Sequence, residues 1–371
     1  MIYFDSAATT LQKPPGVSRA SQWAMSTMAS PGRGDHGPSA RASQTLLACR
    51  ELAADLFQVG EPDRVVLTFN ATHGLNLAIK SLVKPGDTVL LSGWELNAVT
   101  RPLEAIPGVR VRTIRTPLFR PDLFLEELDR QLDAEVDVMI CTQVSNVFGY
   151  VLPVGEIAAL CRRRGIPLIV DASQGAGLLP IRLEDWGAEF VAMPGHKGLY
   201  GPQGTGLLLC RAGGVPLLEG GTGSDSRQQT MPDYLPDRLE AGTHNVPGVA
   251  GLLEGMAFVR RKGPGRLLRH EVALKNQAGE GLARLPGVQV FQTREACQTG
   301  VLSFRVAHWD AGLLADRLAQ KGIALRAGLH CAPAAHETAG TVETGTLRLS
   351  FSAFNTPAQG ERFLSLMARL V

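Results

Sequence analysis

Residues 64–92 read RVVLTFNATHGLNLAIKSLVKPGDTVLLS. RVVLTF is a continuous apolar run and predicts a strand buried on both faces. ATHGLNLAIKSLV places apolar residues at helical spacing, and Asn70 and Thr72 stand where they can cap that helix. DTVLLS predicts a second strand. A strand, a helix and a strand in succession form a βαβ unit, which implies parallel strands and a helix-covered sheet.

The alternation continues outward. NAVTRPLEAI, DLFLEELDRQL and VGEIAALCRRRG read as helices, the last ending at glycine. VRVRTI, VDVMICTQV, IPLIV, AEFVAM and GTGLLLC read as strands. Residues 64–209 therefore predict an α/β fold with a mostly parallel sheet covered on both faces. Residues 211–246 are irregular and rich in Gly, Pro, Asp and Ser, and a loop of that length in a compact domain is usually functional. One helical stretch is expected from Pro247 to Leu285. It is followed by strands GVQVFQ, GVLSFRV, IALRAG and TLRLSFS, the helix AGLLADRLAQKG, and a final helix from Thr356. This part reads as a smaller α+β domain. No internal repeat or low-complexity tract is present.

The chain of 371 residues suits one large domain and a smaller one. It is 44% hydrophobic and 19% charged, enough to bury a sizeable core. The 37 basic and 35 acidic residues are dispersed, without a basic block or basic–aromatic interleaving, which argues against nucleic acid as a ligand. Apolar runs fall well short of the roughly 20 residues that span a bilayer. MIYFDSAATT has no basic segment leading an apolar one, so no signal peptide and a cytoplasmic location are expected. Six cysteines occur at 49, 141, 161, 210, 297 and 331, none in a C-x-x-C pair, so neither a zinc site nor a disulfide framework is expected.

Ligands of open α/β sheets bind beyond the carboxyl ends of the strands. After VVLTF, the NATHG turn opens a helix, either as an ordinary cap or as an anion site. After IPLIV comes Asp171, either a cap or the partner of a cation such as a protonated ring nitrogen. After AEFVAM comes Lys197 in MPGHKGLYGPQGTGLL, a glycine-lined loop in which a lysine can approach a cofactor and form a Schiff base. A surface lysine is the plain alternative. The order of an anion-binding helix start, a strand-end Asp and a strand-end Lys matches what pyridoxal phosphate requires. Cys331 in RAGLHCAP lies in a loop near His330 and His336, where a thiol can be an activated nucleophile, although most cysteines are small buried residues. Arg348 sits inside the apolar strand TLRLSFS and needs a partner, either a structural carboxylate or that of a substrate.

With these residues in place, the chain resembles the class V aminotransferase family of pyridoxal-phosphate enzymes, specifically the cysteine desulfurases and selenocysteine lyases. The likeness runs through YFDSAATT, FNATHGLNLAIKSL, SNVFGYVLPV, VDASQGAG, GHKGLYGPQGTG, GGTGSDS, DRLEAGTHNVPGVAGL, AGLHCAP and LRLSFSAFNT. It implies a fold type I transferase, with a large cofactor-binding domain at residues 15–250 and a small C-terminal domain at 251–371 joined by residues 1–14. It implies that Lys197 carries the cofactor and moves protons. Asp171 would pair with the pyridine nitrogen and Gln174 would bond the ring hydroxyl. Thr72 and the backbone at His73 would hold the phosphate, with His196 nearby. Thr243 would reach the phosphate of the other subunit of a homodimer with shared sites. Asn146 and Arg348 would bind the substrate carboxylate. Cys331 would take the sulfur of L-cysteine as a persulfide, with release of L-alanine, and a sulfur-acceptor protein would follow.

Two positions depart from the family pattern. After DTVLLS the family carries a Glu-His-Asn type sequence whose histidine stacks on the cofactor ring, but here WELNAV places Leu96 there. Lost aromatic stacking is worth roughly 0.5–1.5 kcal/mol, and lost proton shuttling roughly 10²–10⁴-fold in rate. Turnover should therefore suffer before cofactor binding does. Phe148 in SNVFG stands where the family usually has a small residue, and is expected to narrow the site or alter the substrate. L-selenocysteine cleavage, another β-elimination or a transamination are the alternatives within the fold. A catalytically weak scaffold is the alternative outside it.

Overall fold

The apolar runs become strands and the periodic stretches become helices in the computed structural model, which describes residues 1–32, 34–224 and 226–371. Arg33 and Asp225, the latter inside the GGTGSDS motif, lie outside the described residues. Strand β1 (Ile2–Tyr3) precedes helices α1 (Pro15–Thr27) and α2 (Gly37–Phe57). Next come β2 (Val65–Thr68), α3 (Ala71–Leu82), β3 (Thr88–Ser92), α4 (Asn97–Glu104), β4 (Arg110–Ile114), α5 (Pro121–Gln131) and β5 (Val138–Thr142). They lead to α6 (Val154–Arg164), β6 (Leu168–Asp171), α7 (Leu183–Trp186), β7 (Phe190–Pro194) and β8 (Gly206–Cys210). The C-terminal part holds α8 (Val246–Lys262), α9 (Pro264–Leu282), β9 (Val288–Phe291), β10 (Val301–Val306) and α10 (Ala311–Gln320). It ends with β11 (Ile323–Ala324), β12 (Arg326–Gly328), α11 (Pro333–Ala339), β13 (Thr346–Ser350) and α12 (Pro357–Leu370).

The large sheet has the order β2-β8-β7-β6-β5-β3-β4. β8 runs antiparallel to both its neighbours, and the other pairs are parallel. Its central strands are buried throughout, whereas edge strand β4 exposes Arg110 and Val111, and charge on an edge blunts further pairing. Thr142 pairs in register with Asp171, and Asp171 with Ala192, so the carboxyl ends of β5, β6 and β7 align. That alignment fixes where a ligand can sit.

Several features differ from the reading of the sequence, which also missed β1, α7 and α11. The helical stretch 247–285 is two helices, because Gly263 takes φ of +81° and Pro264 opens α9, and a proline cannot continue a helix through its own missing N–H. IALRAG is split between β11, which pairs with β1, and β12, which pairs with β13. Helices α1 and α2, not anticipated at all, pack on α8.

A second, antiparallel sheet has the order β12-β13-β10-β9. Ile2 and Phe4 are buried in one apolar cluster with Leu302, Phe304, Leu347, Leu349 and Phe363. Phe4 meets Phe351 edge-on at 5.2 Å between ring centres, and each such buried ring stabilises by roughly 1.5–3 kcal/mol. The amino terminus is thereby tied to the carboxy-terminal lobe. Val249, Leu252 and Met256 of α8 belong instead to the cluster under the large sheet.

Candidate active site

Lys197 follows β7 by three residues, and its backbone is held from far along the chain. The His196 carbonyl accepts from Thr10 N–H and Oγ1, both at 3.1 Å, from Thr9 Oγ1 at 3.2 Å and from Lys13 Nζ at 3.1 Å. Thr10 Oγ1 also donates to the Lys197 carbonyl at 3.3 Å. The flanking glycines allow backbone to pack on backbone. A Cβ on Gly198 would lie 2.3 Å from the Ala176 carbonyl oxygen, and one on Gly195 would lie 2.2 Å from Thr205 Oγ1. Gly198 thus serves the seating of the loop against Ala176 and Gly195 its seating against Thr205, not only the approach of a ligand. Burial lowers the Lys197 ammonium from 10.5 to about 8, with Asp171 opposing and Arg348 and Arg326 adding to the drop. His196 is lowered to about 4 by burial and by Lys197 and Lys13, and its Nδ1 is buried without a partner.

Asp171 ends β6 and is almost fully buried. Burial pushes its carboxyl up, while Ser173 N–H, donating to Oδ1 at 2.8 Å, and the charge of Lys197 pull it down. Ionisation there would be favoured by a cation closer than Lys197. Glu95 lies behind it, fully buried. Its Oε1 accepts from Ser92 Oγ and from Thr142 N–H, Oε2 has no partner, and burial with the charge of Asp171 raises it to about 8. The sequence pattern did not single out Glu95. Gln174 donates Nε2 to the Ala7 carbonyl at 3.0 Å, which leaves its second amide hydrogen for another acceptor.

Arg348, only 1% exposed, donates Nη2 to Asp5 at 2.6 Å and Nη1 to the Asn146 carbonyl at 3.0 Å, and its Nε is buried without a partner. It therefore has a structural carboxylate and still an open donor. Asn146 Nδ2 donates to the His330 carbonyl at 2.8 Å, and Oδ1 is buried and unpaired. A carbonyl only accepts, so this orientation is forced, and Asn146 keeps Oδ1 as an open acceptor and its second Nδ2 hydrogen as an open donor.

Cys331 is exposed, and Arg326 Nη2 lies 3.7 Å from its sulfur. Arg326 on β12 stands directly opposite Arg348 on β13. Like charges facing across a ladder are unfavourable, and an anion here would be favoured beyond the one that Asp5 supplies. The alternation in IALRAG was the available signal for Arg326. The imidazoles expected beside the thiol make their hydrogen bonds to other groups. His330 Nε2 meets the Thr346 carbonyl at 3.1 Å, and His336 Nδ1 meets Thr341 Oγ1 at 2.8 Å. His330 and Cys331 have φ of +51° and +59°, each costing about 1–3 kcal/mol for a residue with a side chain. Asn97 N–H, at the start of α4, donates to the Cys331 carbonyl at 2.9 Å.

The remaining predicted residues make no hydrogen bond to this cluster among the described contacts. Asn70 Oδ1 caps α3 by accepting from His73 N–H at 2.9 Å. The His73 backbone donor is therefore taken, and the exposed Thr72 carries the open donors of that turn. Thr243 is exposed, on a cavity lined also by Phe69, His73, Thr205 and Glu240. Leu96 is half-buried at the mouth of α4 and packs on the main core, next to the residue that bonds Cys331. Phe148 is fully buried, between Trp94, Phe291 and His336, and fills core.

Comparison with known proteins gives a consistent result. The chain matches the class-V aminotransferase family model over residues 2–363. It is 33% identical to a probable cysteine desulfurase of Xylella fastidiosa (strain Temecula1), covering all of this chain and 91% of that one. It is 32% identical to a cysteine desulfurase of Serratia proteamaculans, covering 90% and 84%. A probable cysteine desulfurase of Mycolicibacterium paratuberculosis is longer, and the chain spans 55% of it at 29% identity. Among solved structures, the apo cysteine desulfurase of Thermococcus onnurineus superposes with a TM-score of 0.91 at 30% identity, over all of this chain and 94% of that one. The Escherichia coli cysteine desulfurase CsdA superposes with 0.88 at 27% identity, over 99% and 94%.

Proposed function

Because the chain belongs to the class-V aminotransferase family, we propose that it is a pyridoxal-phosphate-dependent cysteine desulfurase that converts L-cysteine to L-alanine and keeps the sulfur on Cys331. One observation carries the reading. Lys197 lies within the fields of Asp171, Arg348 and Arg326, and Arg326 reaches the only exposed thiol among the described residues.

The residues present fit the cofactor. A buried Asp171 short of a cation suits a pyridine nitrogen, and the buried, unpartnered Nδ1 of His196 and Nε of Arg348 suit ligand atoms. Lys197 would hold the cofactor aldehyde, Gln174 its hydroxyl, and Thr72 and His196 its phosphate. When bound, pyridoxal phosphate supplies an imine-forming carbonyl and an electron sink. The protein supplies the rest. Arg348 binds and orients the substrate carboxylate, while Asn146 ties Arg348 to the backbone at His330. Lys197 Nζ holds and moves the proton at the substrate α-carbon. The Cys331 thiolate, with Arg326 beside it, attacks the substrate sulfur. The S–S bond forms as the C–S bond breaks, and the electron pair stays with carbon, where protonation yields alanine.

Residues 15–250 together with the rest of α8 form the cofactor-binding part in this reading, and the residues after α8, with 1–14, form the lobe that carries Cys331. The shared apolar cluster of Ile2, Phe4, Leu347 and Phe363 supports that division. A second copy completes the site through Thr243. Phe69, half-exposed beside His73 and Thr243, supports a covered face there. Six unpaired cysteines support a reducing, cytoplasmic setting. No described helix is long and apolar enough to cross a membrane. A sulfur-acceptor protein would relieve Cys331 of the persulfide.

Purified protein given pyridoxal phosphate, L-cysteine and a thiol reductant should release alanine and sulfide in equal amounts. Pyruvate in place of alanine, or transfer of the amino group, would overturn the reading in favour of elimination or transamination. Leu96 is the residue that favours such a second reading. L-Selenocysteine assayed in parallel separates desulfurase from selenocysteine lyase.

A further inference from the structure

His330 and His336 meet behind the Cys331 turn as two buried rings with complementary unpaired atoms. The Thr346 carbonyl at 3.1 Å from His330 Nε2 can only accept, so that nitrogen carries the hydrogen and Nδ1 is a bare acceptor. Nδ1 is buried without a partner. Thr341 Oγ1 lies 2.8 Å from His336 Nδ1. Its hydroxyl can donate there and leave His336 Nε2 as an N–H, which is likewise buried and unpaired. The ring centres are 5.7 Å apart with a tilt of 30°. A direct imidazole–imidazole hydrogen bond needs centres about 5 Å apart, so a small closing movement joins the two. Burial lowers His330 to about 2 and His336 to about 4, with the charge of Arg348 also acting on His330. Both rings are therefore neutral at physiological pH.

The pair sits where the backbone needs holding. His330 and Cys331 are consecutive residues in the left-handed region, with Gly328 also at positive φ just before them. The His330 carbonyl is bonded by Asn146, the Cys331 carbonyl by Asn97, and Ala332 N–H returns to Leu329. His336 belongs to α11, the short helix that follows, and is packed on Phe148 at 5.9 Å. Nothing in the reaction uses either ring. We propose that His336 donates Nε2–H to His330 Nδ1, and that this bond is a positioning device that locks the strained turn presenting the Cys331 thiol. It deepens the desulfurase reading, since it rests on Cys331 being the reacting group.

The test uses the full-length, cofactor-loaded protein with His336→Leu and His336→Gln. Hydrogen exchange at the Ala332 and Asn97 amides reads the turn directly. Exchange should rise roughly tenfold in His336→Leu and stay near native in His336→Gln, whose amide can donate from the same place. With L-cysteine, kcat should fall about 10- to 100-fold in the leucine variant while KM stays within about twofold, as expected for a misplaced nucleophile. Native exchange in His336→Leu, or equal loosening in both variants, would overturn the proposal. If His336→Leu does not fold, His336→Phe keeps the bulk of the ring without a donor and should loosen the same two amides. Unchanged exchange there would also overturn it. The exchange measurement does not depend on turnover. Loosening in a protein that never makes alanine would refute the desulfurase reading and leave the positioning pair standing.

Discussion

Glu240→Gln is the substitution whose cost the structure allows to be worked out most fully. Arg50 lies on the buried face of α2, and its Nη1 and Nη2 donate to the two Glu240 oxygens at 2.7 Å each. Glu240 Oε1 also accepts from Leu67 N–H at 2.6 Å, and His244 Nε2 lies 3.0 Å from Oε2. Burial pushes this carboxyl up, but Arg50 and His244 more than offset burial and hold it at about 2 against an ordinary 4.5. The difference of about 2.5 corresponds to about 3 kcal/mol of native-state preference for the carboxylate. Independently, removing one member of a buried ion pair costs about 3–5 kcal/mol, because the other charge is left unpaired. A chain of 371 residues gains about 0.8 kcal/mol/K of entropy on unfolding, so the melting temperature should fall by about 4–6 °C. The sign with pH follows from the lowered carboxyl. Its contribution is fully present above about 4.5 and is lost as pH falls through about 2, so native protein and variant should converge in acid. Urea unfolding at pH 7 and pH 3, with Arg50→Met and the double variant completing the cycle, measures both. A cost under about 1 kcal/mol at pH 7, or an equal cost at both pH values, would refute the reasoning. Thr243 lies three residues beyond Glu240, so cofactor retention should weaken in the same variant if that segment completes a partner's site.

Lys197→Ala should abolish the absorbance of the bound cofactor, and in native protein the rate of cofactor capture should rise with pH to a midpoint near about 8, as burial dictates. Capture that is flat from pH 6 to 9 would count against it. Cys331→Ser should bind L-cysteine yet release little alanine. Leu96→His should raise desulfuration at least about tenfold if the missing imidazole limits proton transfer, whereas an unchanged rate would show that the site was built without it. Glu271 is buried with its carboxyl raised well above the ordinary value. Its stability contribution falls as pH rises past about 4.5, so Glu271→Gln should melt higher than native at pH 8 and about equally at pH 4.

Much of the large sheet is legible in the chain because parallel strands are buried on both faces and read as unbroken apolar runs, as VVLT, VMICT and LIVD do. The caps at Asn70 and Thr356 are legible for a similar reason, since each bonds a backbone group three residues away. Helix α2 was not legible. Its buried face includes Arg50, and a buried arginine makes sense only once Glu240, 190 residues later, is beside it. The break at Gly263–Pro264 was legible in principle, because proline stops a helix from within its own covalent structure, but the apolar spacing on either side masked it.

The site divides along the same line. Strand ends and local turns placed Asp171, Lys197 and Cys331, because each depends on a few neighbouring residues. What those groups face depends on contacts between residues distant in the chain. Thr10 clamps the lysine loop from 187 residues away, Asp5 occupies Arg348 from 343 away, and Asn146 reaches the His330 carbonyl across 184. The imidazoles next to Cys331 in sequence bond to threonines, and an arginine five residues earlier touches the thiol. Composition and periodicity determine which residues are buried and which end an element. Only the packed chain decides which buried polar atom finds a partner and which, like Nε of Arg348 and Nδ1 of His196, is left for a ligand, because hydrogen bonds are directional and a desolvated donor or acceptor can be satisfied only by a group brought within about 3 Å.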